Sequence, residues 1–243
     1  MIVESLKLKN YRNYELLDIA FDPATNILYG DNAQGKTNIL EALYLCGTTK
    51  SHRGTKDRDL IRFGEEESHL EAMIRKKDLE FQIDIHLKKS SPKGIAVNKL
   101  PLKKAAELFG IIHFVFFSPE DLNIIKEGPA GRRRFIDLEL SQLDKVYFSD
   151  LTNYNRIIQQ RNSVLKEAAF KPDLLSTLDI WDMQLVQYGC KVIAARRKFV
   201  EKLNHIIQDI HFQLTGEKES IKLIYEPNIS EERFEETLER QRD

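Results

Sequence analysis

The hydrophobic pattern of the chain changes period near its middle. Residues 3–8 alternate weakly between apolar and polar, and Leu17, Ile19 and Phe21 alternate cleanly, as half-buried strands do. Asp22-Pro23 marks a turn, and the apolar run 26–29 reads as a short strand leading straight into Gly30. Ile39, Leu40, Leu43 and Tyr44 then recur at helical spacing, with Gly47 as the expected stop. Residues 70–74 and the strict alternation of Leu79, Phe81, Ile83, Ile85 and Leu87 predict an antiparallel hairpin turning at Lys76-Lys77-Asp78. A third strand is expected at 95–97 with a turn at Asn98-Lys99, and a buried strand at 111–117.

Beyond Gly128-Pro129-Ala130-Gly131 the period becomes helical. From Arg132 to about Lys166 there is almost no Gly or Pro, and apolar positions recur at three, four or seven from about Asp173 to Leu214. Pro172 separates the two stretches, which predicts an antiparallel helical pair. Residues 221–225 alternate again and are expected to return to the sheet, and Ser230 is a good N-cap for a helix ending at or near Asp243. The expected organisation is a first lobe over 1–128, a helical lobe over 129–216 and a return segment over 217–243.

The composition is globular, with 42% hydrophobic and 31% charged residues. The net charge of -1 means that no global positive field attracts nucleic acid, so any such contact must use a local patch. The only cysteines, Cys46 and Cys190, form no metal-binding spacing and read as inert thiols in a reducing compartment. No stretch approaches the roughly 18 apolar residues of a membrane span, and the expected location is cytoplasmic with no membrane partner.

The chemistry is concentrated in Gly30-Asp31-Asn32-Ala33-Gln34-Gly35-Lys36-Thr37, a complete G-x-x-x-x-G-K-[ST] motif between an apolar strand and an amphipathic helix. Its glycines let backbone N–H groups converge on a phosphate, and the positive end of the following helix adds to the attraction. Lys36 is placed to reach the β- and γ-phosphates, and the Thr37 hydroxyl to hold Mg²⁺. Hydrolysis further requires an acidic residue ending an apolar strand. The nearest segments, 221–226 and 114–120, are interrupted by Lys222 and by Ser118-Pro119, so ATP binding without turnover is the expectation for this chain.

Several segments together resemble one family: residues 8–14 (Leu-Lys-Asn-Tyr-Arg-Asn-Tyr), the loop 30–37 continuing through Asn38-Ile39-Leu40-Glu41-Ala42-Leu43-Tyr44, Phe117-Ser118-Pro119-Glu120-Asp121-Leu122, and Gly131-Arg132-Arg133-Arg134-Phe135-Ile136-Asp137. In this order they resemble the N-terminal portion of the RecF family of DNA replication and repair proteins, within the wider group of SMC- and Rad50-like ABC heads. The resemblance implies an α/β P-loop ABC-type ATPase head with a mixed sheet, a β-hairpin region and a helical second lobe. It implies ATP and Mg²⁺ as cofactors, binding to DNA at single-strand gaps and junctions, an ATP-dependent homodimer in the full-length protein, and RecO and RecR as partners in recombinase loading. It places Arg12, Asn13 and Asn38 with Gly30–Thr37 at the nucleotide, and the 118–121 loop where related heads carry a γ-phosphate sensor. Here that loop has Glu120 and no Gln, so it receives no role. The family's signature and Walker B segments lie towards the C-terminus and are not found here, so the chain reads as an N-terminal fragment of a weak DNA-dependent ATPase.

Other basic groups read more plainly. Arg132-Arg133-Arg134 suits either DNA phosphates or salt bridges to Asp137 and Glu139. Lys88, Lys89, Lys93, Lys99, Lys103 and Lys104 read as a lysine-protected sheet edge, and Arg196-Arg197-Lys198 as a solvated helix face. Competing readings are a nucleotide-gated interaction module without catalysis and a P-loop small-molecule kinase. The long paired helices fit the kinase poorly.

Overall fold

The computed structural model describes residues 1–126 and 128–241, without the side chains of Glu120 and Asn123. The expected helix end at Asp243 lies outside the described residues. The chain divides into two compact units, Met1–Asp121 and Leu122–Asp243.

In the first unit, strands β1 (Ile2–Tyr11), β2 (Tyr14–Ala20), β3 (Glu67–Lys76), β4 (Leu79–Lys88), β5 (Gly94–Val97) and β6 (Leu100–Pro101) form one sheet of order β2-β1-β3-β4-β5-β6. Every named pair in it is antiparallel. Alternation along each strand explains its two faces. Leu6, Leu8, Leu70, Ala72, Ile74, Ile83, Ile85 and Leu87 are buried, and the residues that alternate with them, polar except Met73, are wetter. The predicted hairpin is β3–β4, in register from Glu67↔Lys88 to Lys76↔Leu79. Helix α1 (Lys36–Thr48) packs Ile39, Ala42, Leu45 and Cys46 into the same core. Gly47 does not stop this helix. It makes room for Phe114, whose ring stands 2.0 Å from where a Cβ would be, and the left-handed residue that ends the helix is Thr49.

Segments 26–29 and 111–117, both expected as strands, pair with no strand among the described residues. Leu28, Ile112 and Phe114 face the core, but Tyr29 is 91% and Val115 97% exposed. An apolar run is not enough for a strand, which also needs a neighbour to satisfy its ladder.

The second unit contains α2 (Asn123–Lys126), α3 (Pro129–Leu143), α4 (Lys145–Ala168), α5 (Leu178–Leu214) and α6 (Phe234–Arg240). The Asp144 carboxylate accepts from the N–H groups of Val146 and Tyr147, which separates α3 from α4 where composition gave no break. Helix α5 has 37 residues, about 55 Å at 1.5 Å per residue, and packs along α4. Residues 217–241 do not return to the sheet. The Asn204 amide pairs with both backbone groups of Leu223 at 2.7 and 2.8 Å, and Phe234 and Leu238 join the α4–α5 core.

Of Arg196, Arg197 and Lys198, expected on a solvated face, Lys198 is exposed and Arg197 is paired but stays 43% exposed, whereas Arg196 is structural. Arg196 donates both arms of its guanidinium to Asp137 at 2.8 Å, with the Tyr147 hydroxyl bonded to the same carboxylate, and Arg197 grips Glu231. Helical spacing fixes which residues share a stripe, whereas the acids that meet them come from 34 and 59 positions away.

One buried ion pair ties the first unit together at the start of α1. Glu41 is fully buried and accepts Arg12 Nε at 2.8 Å, Arg12 Nη2 at 2.7 Å and the Ser51 hydroxyl at 2.5 Å. Burial alone would raise its pKa, but the hydrogen bonds from Arg12 and Ser51 outweigh this and hold it below the ordinary carboxylate value. A depressed carboxylate contributes stability above its ordinary value of 4.5 and loses it as the pH falls below that.

Two outcomes follow. Glu41→Gln lowers the stability of the first unit at pH 7 by about 2–4 kcal/mol, and flattens the acid limb of its stability–pH curve, as measured by urea unfolding from pH 3 to 7. Arg196→Met, which keeps most of the stem but strands Asp137, destabilises the helical unit by about 2–4 kcal/mol in urea unfolding followed by helical dichroism.

Candidate nucleotide site

The loop 30–37 is shaped by three left-handed residues: Gly30 (φ 134°), Ala33 (φ 64°) and Gly35 (φ 101°). Gly35 is needed twice over, because a Cβ there would also lie 2.7 Å from the Tyr14 hydroxyl and 2.8 Å from the Asn13 amide. Gly35 is the N-cap of α1, so no side chain caps the helix, and its first turn holds no acid. The Asn38 N–H donates to the Gly35 carbonyl at 2.7 Å, which leaves the N–H groups of Lys36 and Thr37 at this end for an external acceptor. Asp31, Asn32, Ala33 and Gln34 are exposed along the loop, as is Thr37 in the first turn. The Lys36 ammonium bends back over the loop and donates to the carbonyls of Gly30 at 2.7 Å and Asp31 at 2.5 Å.

The turn between β1 and β2 buttresses this loop. Asn38 Nδ2 donates to Asn13 Oδ1 at 2.8 Å, Asn13 Nδ2 donates to the Gln34 carbonyl at 3.3 Å, and the Tyr14 hydroxyl reaches the same carbonyl at 3.5 Å. Asn13 and Asn38 are therefore brought to the loop. The Arg12 side chain is directed elsewhere. Beyond Glu41, its donors go to the Thr55 hydroxyl at 3.1 Å and the Asp59 carbonyl at 3.2 Å. Its backbone, left-handed at φ 54°, shapes the turn that presents Asn13.

Sequence reasoning missed Glu41, Ser51 and Tyr14. Glu41 carried a signal: it is an acid within the apolar stretch Ile39, Leu40, Ala42 and Leu43, and a charge buried there requires a cationic partner. Arg53 reaches Asn38 Oδ1 at 3.4 Å, while His52 packs among Tyr44 and Phe116. Burial, and secondarily Asp84, pushes the Cys46 thiol up to about 12, which disfavours the thiolate. The Arg132 guanidinium donates to the Ile124 carbonyl at 3.2 Å, and Asp137, one of the acids weighed as a partner of the triple-arginine cluster, is held by Arg196 instead. Ser118 and Asp121 close a local turn, with the Asp121 carboxylate accepting from the Ser118 N–H at 2.6 Å.

The family model described as AAA ATPase domain matches residues 1–238. The DNA replication and repair protein RecF of Agathobacter rectalis is 61% identical over 98% of this chain and 66% of its own length. That of Lachnospira eligens is 60% identical over 100% of this chain and 67% of its own. The chain thus spans about two thirds of the length of these curated relatives. Among solved structures, that of the recombination mediator protein RecF with ATP superposes with a TM-score of 0.91 at 34% identity, over 98% of this chain and 66% of the other. The expected P-loop ATPase-head fold holds over the described residues, and no helix among them is long and apolar enough to cross a membrane. A glycine-shaped loop at an uncapped helix start, a buttressing turn beside it and identity at this level lead to one assignment: the chain belongs to the RecF family of DNA replication and repair proteins.

Proposed function

We propose that the chain is the ATP-binding part of a DNA-repair and recombination ATPase. The observation that carries this reading is the loop itself, a complete phosphate-binding motif in the strained conformation its glycines allow, opening onto an uncapped helix start. Gly30, Asp31, Asn32, Ala33, Gln34 and Gly35 supply the backbone cradle, and Lys36 exchanges its loop carbonyls for the β- and γ-phosphates. Asn13 and Asn38 line the rim, and Arg12 belongs to the set through the turn it shapes and its grip on Glu41. The exposed Thr37 hydroxyl fits a hard oxygen-ligated cation and would hold Mg²⁺, which when bound neutralises phosphate charge.

The name of the solved relative, a recombination mediator in the RecFOR pathway, supports DNA, RecO and RecR as partners of the parent protein and recombinase loading at gaps and junctions as its task. ATP-dependent homodimerisation is proposed for the full-length protein, and a cytoplasmic location is consistent with these roles. For this chain by itself the reading narrows to nucleotide binding without turnover, because no apolar strand among the described residues ends in the acid that hydrolysis needs.

Calorimetry of Mg²⁺·ATP against the wild-type chain and Lys36→Ala tests this. Removing a charged donor to phosphate weakens binding about ten- to hundredfold, with phosphate release at background in both proteins. Equal affinities, or phosphoryl transfer to a small acceptor, contradict the reading. Asn13→Ala weakens ATP binding by a smaller factor, about three- to tenfold, with the melting temperature nearly unchanged; an unaltered affinity removes Asn13 from the site.

A further inference from the structure

The net charge of -1 conceals one strongly cationic stretch. Between Lys88 and Lys104 there are six lysines and no Asp or Glu. The same stretch contains no Phe, Tyr, Trp or His. It builds β5 and β6, the last two strands of the sheet, so it lies along one rim of the first unit. Three of the lysines are matched there: Lys88 by Glu67 at 3.5 Å, Lys89 by Glu66 at 3.1 Å and Lys93 by Asp57 at 3.0 Å. Lys99, Lys103 and Lys104 are exposed and form no ion pair among the described residues. Lys77, exposed at the β3–β4 turn, stands near the same end of the sheet as Lys99, since Ile83 pairs with Val97. The acids nearest in sequence to these lysines are Asp78, Glu80 and Glu107, and the Glu107 carboxylate accepts from the Lys104 backbone N–H at 3.1 Å.

The backbone under these lysines is fixed. Asn98 and Lys99 are both left-handed, at φ 51° and 65°, which makes a tight turn. Asn98 is bolted to β4, exchanging bonds with Gln82 N and O at 2.8 Å each, and the Leu102 N–H donates to the Ile95 carbonyl at 2.8 Å. A sheet edge needs lysine only to discourage strand pairing. Here the edge strand itself is two residues long, and two of the three unmatched lysines lie beyond it.

We propose that this rim, with Lys99, Lys103 and Lys104 at its centre, is a docking surface for the phosphate backbone of duplex DNA. The proposal rests on the DNA-binding reading above and assigns it a place. Point charges on a rigid rim neutralise phosphates without reading sequence. The lack of aromatic side chains removes the stacking platform that single strands use, so the duplex is the favoured form.

The test is fluorescence anisotropy of the chain with a labelled 30-base-pair duplex and with a single strand of the same length, across a range of salt. Wild type binds duplex, and K99Q/K103Q/K104Q binds it at least tenfold more weakly. Its log affinity–log salt slope is shallower by about 2–3, since each B-DNA phosphate contact contributes roughly 0.9. ATP affinity is unchanged in the variant, and K99R/K103R/K104R restores duplex binding. A single Lys103→Gln change reads out the same effect, a slope loss of about 0.9, without a triple substitution. Duplex binding that survives the glutamine triple, or is lost only in R132Q/R133Q/R134Q, overturns the assignment to this rim. Binding of the single strand alone overturns the proposal and leaves the DNA-binding reading standing, and binding of neither form overturns both.

Discussion

The first unit depends on one buried ion pair. Glu41 is a carboxylate without solvent in the middle of the helix that begins at the phosphate loop, and Arg12 is the cation that makes its burial tolerable. A buried charge of this kind costs several kcal/mol if its partner leaves, so the pair adds less to stability than to uniqueness of arrangement. Because both arms of the guanidinium meet both carboxylate oxygens, α1 can sit on the sheet in only one register relative to the β1–β2 turn. That register puts Asn13 and Tyr14 against the Gln34 carbonyl and fills the space that Gly35 leaves. The loop geometry is thus set by a contact one turn of helix beyond Thr37.

Much of this could be read from the chain. The 30–37 motif, the β3–β4 hairpin and the α4–α5 pair are local patterns, and local patterns report the period of burial along one segment. What they do not report is the partner. Residues 26–29 and 111–117 have strand-like composition but join no strand of the sheet among the described residues, and 217–241 packs on α5 where a return to the sheet was expected. Arg196 shows the same limit: its sequence neighbours Arg197 and Lys198 suggested a wet face, whereas Asp137, 59 residues earlier, draws it into a half-buried ion pair. Glu41 was the readable exception, because an acid embedded in an apolar stripe announces a missing cation.

Charge is distributed in the same spirit. The chain is nearly neutral, yet the rim beside β6 gathers three exposed lysines that form no ion pair among the described residues. A bulk charge therefore says little about which polyanions a protein of this size can hold, and the location of each carboxylate relative to each cation says more. In the helical unit the long α5 is fixed by its two paired arginines and by the Asn204–Leu223 clasp, so these two cations serve internal order.

The central claim, that ATP is held by the loop at the start of α1 with the β1–β2 turn as its rim, is tested most directly by amide hydrogen exchange with and without Mg²⁺·ATP. Slowed exchange at residues 31–38 and in the 11–14 turn, with the 122–241 unit unaffected, is the predicted result. Protection confined to the helical unit, or no change at the loop at saturating nucleotide, would contradict it.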